Sequence, residues 1–241
     1  MHFAPLNTEQ EYCCRANLDL FKSPDCAGLV TQAAAGRHLR VIKMPSATAP
    51  AILVCLCEDD YCGWLPASAS SALQPATSPY QAPPWTSAAI AAQLPAVIQF
   101  AYQAMTQTNT YLWGGTVGPN FDCSGLVQTA FAAAGIRLPR DSYQQEDFVD
   151  AIDLSELQPG DLLFFGQGDR PNHVALYLGE GRYIHSSGRN QGRNGIGIDS
   201  ITDLADPISQ TYYQQLRGAG RVSRSYQPQG KPIADQSLVT E

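Results

Sequence analysis

The spacing of apolar and polar positions changes character along the chain, and each change marks a different kind of element. Between residues 12 and 66 short apolar, β-branched and aromatic runs recur: Tyr12 to Leu20, Gly28 to Thr31, His38 to Met44, Ala51 to Glu58 and Tyr61 to Pro66. Ser-Pro-Asp, Ala-Ala-Gly, Pro-Ser and Glu-Asp-Asp breaks separate them, which predicts a small all-β barrel or sandwich. Residues 67–87 are rich in Ala, Ser and Pro, and Pro75, Pro79, Pro83 and Pro84 fix φ and remove donors, so a semi-extended linker is expected. Ile90, Leu94, Val97, Ile98, Ala101 and Met105 then recur at helical spacing and predict a helix over about Ala88 to Met105, with Pro95 either kinking it or marking its first turn. A second helix starts at Asp122 or Cys123, carries the stripe Leu126, Val127, Ala130, Phe131 and Ala134, and is stopped by Gly135. A polar segment runs on to Leu154, and the turn Gln158-Pro-Gly-Asp161 leads into three short strands at Asp161–Phe165, His173–Leu178 and Arg182–Ser186. Helices first and an antiparallel sheet second describe an α+β domain. Ser187 to Ile198 reads as a mobile glycine-containing loop rimming a cleft, and the chain from about Ser223 as a frayed polar tail. The expected organisation is therefore a β-domain over 1–70, a linker over 71–87, an α+β domain over 88–222 and a tail over 223–241.

Composition narrows the classes. At 241 residues there is room for two domains, and the formal net charge of -7 argues against nucleic acid or an anionic membrane as partner, each of which calls for a basic stripe. The N-terminus lacks a basic stretch followed by an apolar core, and no later apolar run is long enough to span a bilayer, so a cytoplasmic location is the expectation. Cys13, Cys14, Cys26, Cys55, Cys57 and Cys62 crowd into the first quarter, and without an export signal free thiols are expected there. Their spacing does not give the paired Cys-x-x-Cys knuckles of a zinc ribbon.

The seventh cysteine stands apart. Cys123 follows the glycine-rich turn Tyr111-Leu-Trp-Gly-Gly and falls in the first turn of a helix whose N-cap is Asp122, where unpaired N–H groups and the helix dipole favour a thiolate and lower a thiol pKa. The stretch from His173 to His185 supplies a base and a partner for it. If the turn pivots on Gly179 or Glu180, both histidines share a face with Cβ atoms on the order of 5 to 8 Å apart; a two-residue Glu180-Gly181 turn would put them on opposite faces. A thiol, a histidine and a group that orients the histidine make up the parts of covalent acyl transfer.

Tyr111-x-Trp-Gly-Gly, Phe121-Asp-Cys-Ser-Gly125, Leu138-Pro-Arg-x-Ser142, Leu157-Gln-Pro-Gly-Asp-Leu-Leu-Phe-Phe165, His173-Val-Ala-Leu-Tyr-Leu-Gly and Ile184-His-Ser-Ser together resemble the NlpC/P60 cysteine peptidases over roughly residues 88–222. The stretch before it, with Glu58-Asp-Asp-Tyr-Cys-Gly-Trp-Leu-Pro, is similar to bacterial SH3-like domains. The resemblance implies an SH3-like β-barrel followed by a papain-like α+β domain, acting on peptidoglycan stem peptides at the bond between γ-D-glutamate and a diamino acid such as meso-diaminopimelate. It implies Cys123 as nucleophile, His173 as base, His185 as the polar residue orienting it and Tyr111 as an oxyanion donor. Asp122, Ser124, Arg140, Asp141 and Ser142 are expected to line the substrate cleft, and Asp122, Ser142, Asp60 and Tyr61 to receive a free L-alanine amine. The implied substrate is a freed muropeptide, and no metal or other cofactor is implied. The competing readings are a muramoyl-alanine amidase or transacylase on the same core, a zinc hydrolase using Cys123, His173 and His185, and a non-catalytic wall-binding protein.

Overall fold

The computed structural model describes residues 6–44 and 50–231. The chain divides into two compact units, one formed by the residues up to Ala82 together with those from Gln227, the other by Pro83–Tyr226.

The first unit is an SH3-like sheet domain. Its strands are β1 (Glu11–Cys14), β2 (Leu18–Phe21), β3 (Leu29–Ala33), β4 (His38–Lys43), β5 (Ala51–Leu56), β6 (Cys62–Pro66) and β7 (Leu73–Pro75), in the order β3-β2-β6-β5-β4-β1-β7. Residues alternate across the strands, so that Tyr12, Cys14, Leu18, Leu20, Leu39, Val41, Ile52, Val54 and Leu65 meet in one core. Three expectations are corrected here. The run Tyr12 to Leu20 is not one strand, because β1 and β2 pair with different neighbours. The stretch expected as linker contributes β7, whose Leu73 lies opposite Cys14 and closes the core. Of the cysteines expected to be free, Cys55 and Cys62 are joined in a disulfide: they are partners in the β5–β6 ladder, which aims both side chains the same way.

The second unit is the α+β domain. Helix α1 (Ser87–Thr106) is capped by Thr86 and carries Pro95 inside it, burying Ile90, Val97, Ala101 and Ala104. A two-stranded ribbon, β8 (Thr116–Val117) and β9 (Asn120–Phe121), precedes α2 (Cys123–Ala133). Then come α3 (Ser142–Phe148), β10 (Asp150–Ile152), β11 (Leu162–Phe165), β12 (His173–Gly179), β13 (Arg182–Ser187), β14 (Gly195–Ser200), α4 (Pro207–Tyr213) and β15 (Leu216–Arg221). The six-stranded antiparallel sheet has the order β10-β15-β11-β12-β13-β14. Its even-numbered residues Leu162, Phe164, Val174, Leu176 and Ile184 pack against α1 and α2. The odd-numbered Leu163, Phe165, Ala175, Tyr177 and Tyr183 pack on the other side with Tyr212 of α4.

Two further expectations change. The polar segment before Leu154 contains α3, whose N-cap Asp141 forms a capping box with Gln144. The end of the loop expected to be mobile, from Gly195, belongs to β14, and the expected tail is tied down from its start: Ser223 and Arg224 bond Asp150, the Ser225 hydroxyl accepts from the Arg137 N–H, and the Tyr226 N–H donates to the Arg137 carbonyl at 2.8 Å.

The turn before α2 leaves no room for a side chain at its closest approach, since a Cβ on Gly125 would lie 2.0 Å from the Gly115 carbonyl oxygen, whereas one on Gly168 would meet nothing within 4 Å. Gly125→Ala should therefore lower unfolding free energy by about 2–3 kcal/mol, the cost of forced backbone movement in a packed region. Gly168→Ala should stay within about 0.5 kcal/mol of wild type in the same urea titration. Equal midpoints for the two variants would contradict the packing described.

Candidate active site

Cys123 is the first residue of α2, and everything around it fixes that helix start. Asp122 is extended, and its carboxylate accepts from the Gly125 N–H at 2.7 Å and the Gly114 N–H at 2.9 Å. The buried Arg140 guanidinium pairs with it twice, at 3.1 Å to Oδ1 and 2.6 Å to Oδ2, and donates to Ser124 Oγ at 2.9 Å. The structure thus brings Asp122, Ser124 and Arg140 together as one network beside Cys123. Asp122, expected to receive a substrate ammonium, is paired with the Arg140 guanidinium. Asp141 caps α3, and Ser142 donates to the Pro171 carbonyl at 3.2 Å. Asp60 and Tyr61 belong to the first unit, between β5 and β6; the Asp60 carboxylate is paired with Arg40 at 2.9 Å and accepts from the Gln229 N–H.

Burial pushes the Cys123 thiol up to about 12, and the Asp122 charge adds to this, while the N–H groups of Val174 and Ser124 and the Arg140 charge pull the other way. The expectation of a lowered thiol pKa is therefore corrected: desolvation at a fully enclosed helix start outweighs the local dipoles. Tyr111 faces the same centre. Its phenol is raised well above the ordinary range by burial, then by the charges of Cys123 and Asp122, so it stays a hydrogen-bond donor.

The histidines reach this centre from the sheet. Leu176 is opposite Ile184 and Tyr177 opposite Tyr183, but Gly179 is opposite Arg182, so one extra residue is accommodated between Tyr177 and Gly179. Glu180 and Gly181 form a two-residue turn with φ of 54° and 74°. Alone that turn would put the histidines on opposite faces; the extra residue restores the parity. His173 Nε2 and His185 Nδ1 lie 2.7 Å apart. That contact uses the two nitrogens with which the rings would share a cation. Both rings are held neutral: burial lowers His173 well below the usual histidine range, with the neighbouring His185 adding to it, and burial lowers His185 against the pull of Asp199.

Sequence reasoning did not find Asp199 or Tyr212. Asp199 Oδ2 lies 2.7 Å from His185 Nε2, and Tyr212 stacks on His173 with ring centroids 4.7 Å apart and edge-on to His185 at 4.8 Å. The alternation Gly195-Ile-Gly-Ile-Asp199 was the available signal for β14, since it sets Ile196 and Ile198 on one face and Asp199 on the other. Nothing in the residues before it separates Tyr212 from any other helical tyrosine.

These shifts give stability a defined pH window. The unfolded chain binds protons on His173 and His185 below about 6.5 that the folded chain refuses, so stability should fall as pH drops below that value. Above 9.0 the unfolded chain releases the Cys123 proton while the folded chain keeps it up to about 12, so stability should fall there as pH rises. Thermal melts of Cys123→Ala should show a shallower alkaline decline than wild type; superimposable alkaline limbs would mean that the thiol is not held protonated.

Residues 108–218 match the NlpC/P60 family, and residues 20–69 match the bacterial dipeptidyl-peptidase Sh3 domain. A γ-D-glutamyl-L-lysine dipeptidyl-peptidase of Bacillus cereus is 48% identical over 80 residues, covering 32% of this chain and 24% of that protein. A "Probable endopeptidase p60" of Listeria seeligeri is 39% identical over 112 residues, covering 46% of this chain and 19% of that protein. The chain thus spans about a quarter or less of the length of these curated relatives. The crystal structure of an NlpC/P60 family protein from Bacillus cereus aligns with a TM-score of 0.48 and 26% identity, covering 90% of this chain and 64% of that chain. The chain carries an NlpC/P60 domain behind an SH3 domain of the bacterial dipeptidyl-peptidase kind.

Proposed function

We propose that the protein is a thiol peptidase that hydrolyses the bond between γ-D-glutamate and a diamino acid in peptidoglycan stem peptides carrying a free N-terminal L-alanine. The observation that carries the thiol chemistry is the enclosed Cys123 sulfur, touched by the N–H of Val174, the residue that follows His173 on β12. His173 has one ring nitrogen engaged by His185, which leaves Nδ1 to take the thiol proton. The thiolate then adds to the scissile carbonyl carbon, the Cys123 N–H and the Tyr111 hydroxyl hold the oxyanion, and the imidazolium returns the proton to the leaving amine. Water, deprotonated by the same ring, hydrolyses the thioester.

The specificity rests on two supports. The chain shares 48% identity over 80 residues with a protein named as a γ-D-glutamyl-L-lysine dipeptidyl-peptidase, and an enzyme that releases dipeptides acts from a free N-terminus. In addition, residues 20–69 match the bacterial dipeptidyl-peptidase Sh3 domain. Such an enzyme would spare stems still joined to muramic acid, which suits recycling of freed peptides in the cytoplasm.

Cys123→Ala should lower kcat on L-Ala-γ-D-Glu-diamino acid tripeptides by about three orders of magnitude or more while preserving the thermal melt at neutral pH, and His173→Ala should be nearly as severe. If release of dipeptides requires a free N-terminus, the ratio of kcat/KM for the free over the N-acetylated tripeptide should be about a hundredfold or more. A ratio near one, or release of peptides from intact sacculi, would refute the free-amine requirement. Turnover by Cys123→Ala would refute the thiol mechanism.

A further inference from the structure

We propose that Asp199 is a positioning residue that sets the tautomers of both histidines, and through them aims the lone pair of His173 Nδ1 at the thiol. The inference rests on the thiol mechanism above and adds to it the group that fixes where the proton goes.

The argument runs along a chain of contacts. Asp199 Oδ2 is 2.7 Å from His185 Nε2, and both side chains are fully buried. An ionised carboxylate can only accept, so Nε2 of His185 carries the hydrogen. A neutral imidazole that donates at one nitrogen accepts at the other, which makes His185 Nδ1 an acceptor. Its partner 2.7 Å away, His173 Nε2, must then donate. The remaining nitrogen of His173, Nδ1, is left with a lone pair. One buried carboxylate therefore dictates the state of a nitrogen two rings away.

Asp199 is built to stay ionised. Arg193 Nε donates to Oδ2 at 3.0 Å, Arg193 Nη2 donates to Oδ1, and the Ser209 hydroxyl donates to Oδ1 at 2.8 Å. Burial opposes the charge, but these bonds and the one from His185 outweigh it and hold Asp199 well below the usual carboxylate range. Gly197 leaves room for the arginine. It is the β14 partner of His185, and a Cβ there would lie 3.1 Å from the Arg193 Cδ. Arg193 also reaches Asp206, the N-cap of α4, at 3.0 Å, and α4 carries Tyr212 onto both rings. Loop, helix and carboxylate thus form one support behind the base.

The test reads nitrogen tautomers in the full chain without substrate, by long-range proton–nitrogen correlation on ¹⁵N-histidine-labelled protein at neutral pH, with His173→Gln and His185→Gln for assignment. Wild type should show His173 protonated at Nε2 and unprotonated at Nδ1, and His185 likewise. In Asp199→Asn the amide can donate to His185 Nε2, so both rings should invert, with kcat on the tripeptide falling about a hundredfold or more. His185→Gln can accept from His173 and donate to Asp199, so it should keep the His173 tautomer and lose less activity than Asp199→Asn. A wild-type His173 carrying its proton on Nδ1 would overturn the proposal even if Asp199→Asn failed to fold, and so would an unchanged His173 tautomer in a folded Asp199→Asn. Because the spectrum needs no turnover, it fails or succeeds separately from the assigned substrate.

Discussion

The site depends on the register of three neighbouring strands. His173, His185 and Asp199 lie on β12, β13 and β14, each two residues out of step with the next, so their side chains run diagonally across one face of the sheet. A slip of one residue at either ladder would send one of them to the opposite face, where Val174, Leu176 and Ile184 pack against α2. The register is enforced locally. The Tyr177 hydroxyl accepts from the Gly181 N–H at 3.0 Å, and the Gly181 carbonyl accepts from the Ile201 N–H at 2.8 Å, so the turn is pinned both to its own strand and to the end of β14.

The position of Cys123 follows from that arrangement. The histidines face the α4 side of the sheet, whereas α2 packs on the other side, and the two can meet only at an end of a strand. His173 is the first residue of β12, and Cys123 is the first residue of α2. The meeting point is enclosed, so neither thiolate nor imidazolium is favoured at rest. In the proposed mechanism, charge is called up only during reaction. By then the N–H groups of Val174 and Ser124 already face the sulfur, and Asp199 already faces the ring that backs the base. Dipoles set in advance in a dry site act more strongly than mobile water would.

Much of this was legible in the residues, and the gaps have physical causes. The helix start at Asp122 and the apolar stripes of α1 and α2 could be read, because caps and stripes are local. The all-β character of the first unit was legible for the same reason. What was missed depends on distant partners. β7 is three residues long and is a strand only because β1 lies beside it. β14 reads as loop because its glycines have no packing preference of their own, yet Gly197 is the residue that leaves room for Arg193. The thiol pKa was misjudged because the dipole at a helix start can be read from order along the chain, while the depth of burial cannot. Tyr212 becomes informative only once α4 has docked.

The segment Leu138-Pro-Arg-Asp-Ser142 shows how structural and chemical demands coincide. Leu138 is buried in the core with α2, and its carbonyl accepts from Gln128 of that helix at 3.0 Å. The Pro139 carbonyl accepts from Gln145 at 3.0 Å, and the same amide donates to the Ser124 carbonyl at 3.2 Å. Arg140 neutralises the carboxylate that caps α2; removing it would leave a buried charge unpaired, a change that typically costs about 3–5 kcal/mol. Asp141 then caps α3, and Ser142 reaches the carbonyl of Pro171, two residues before His173. The segment therefore ties the start of α2, with Cys123, to the start of β12, with His173. A helix packed on a sheet has no ladder with a strand of that sheet to fix their spacing. This strap supplies the missing constraint, which is why a buried, fully paired arginine stands beside a centre whose reacting groups are held neutral.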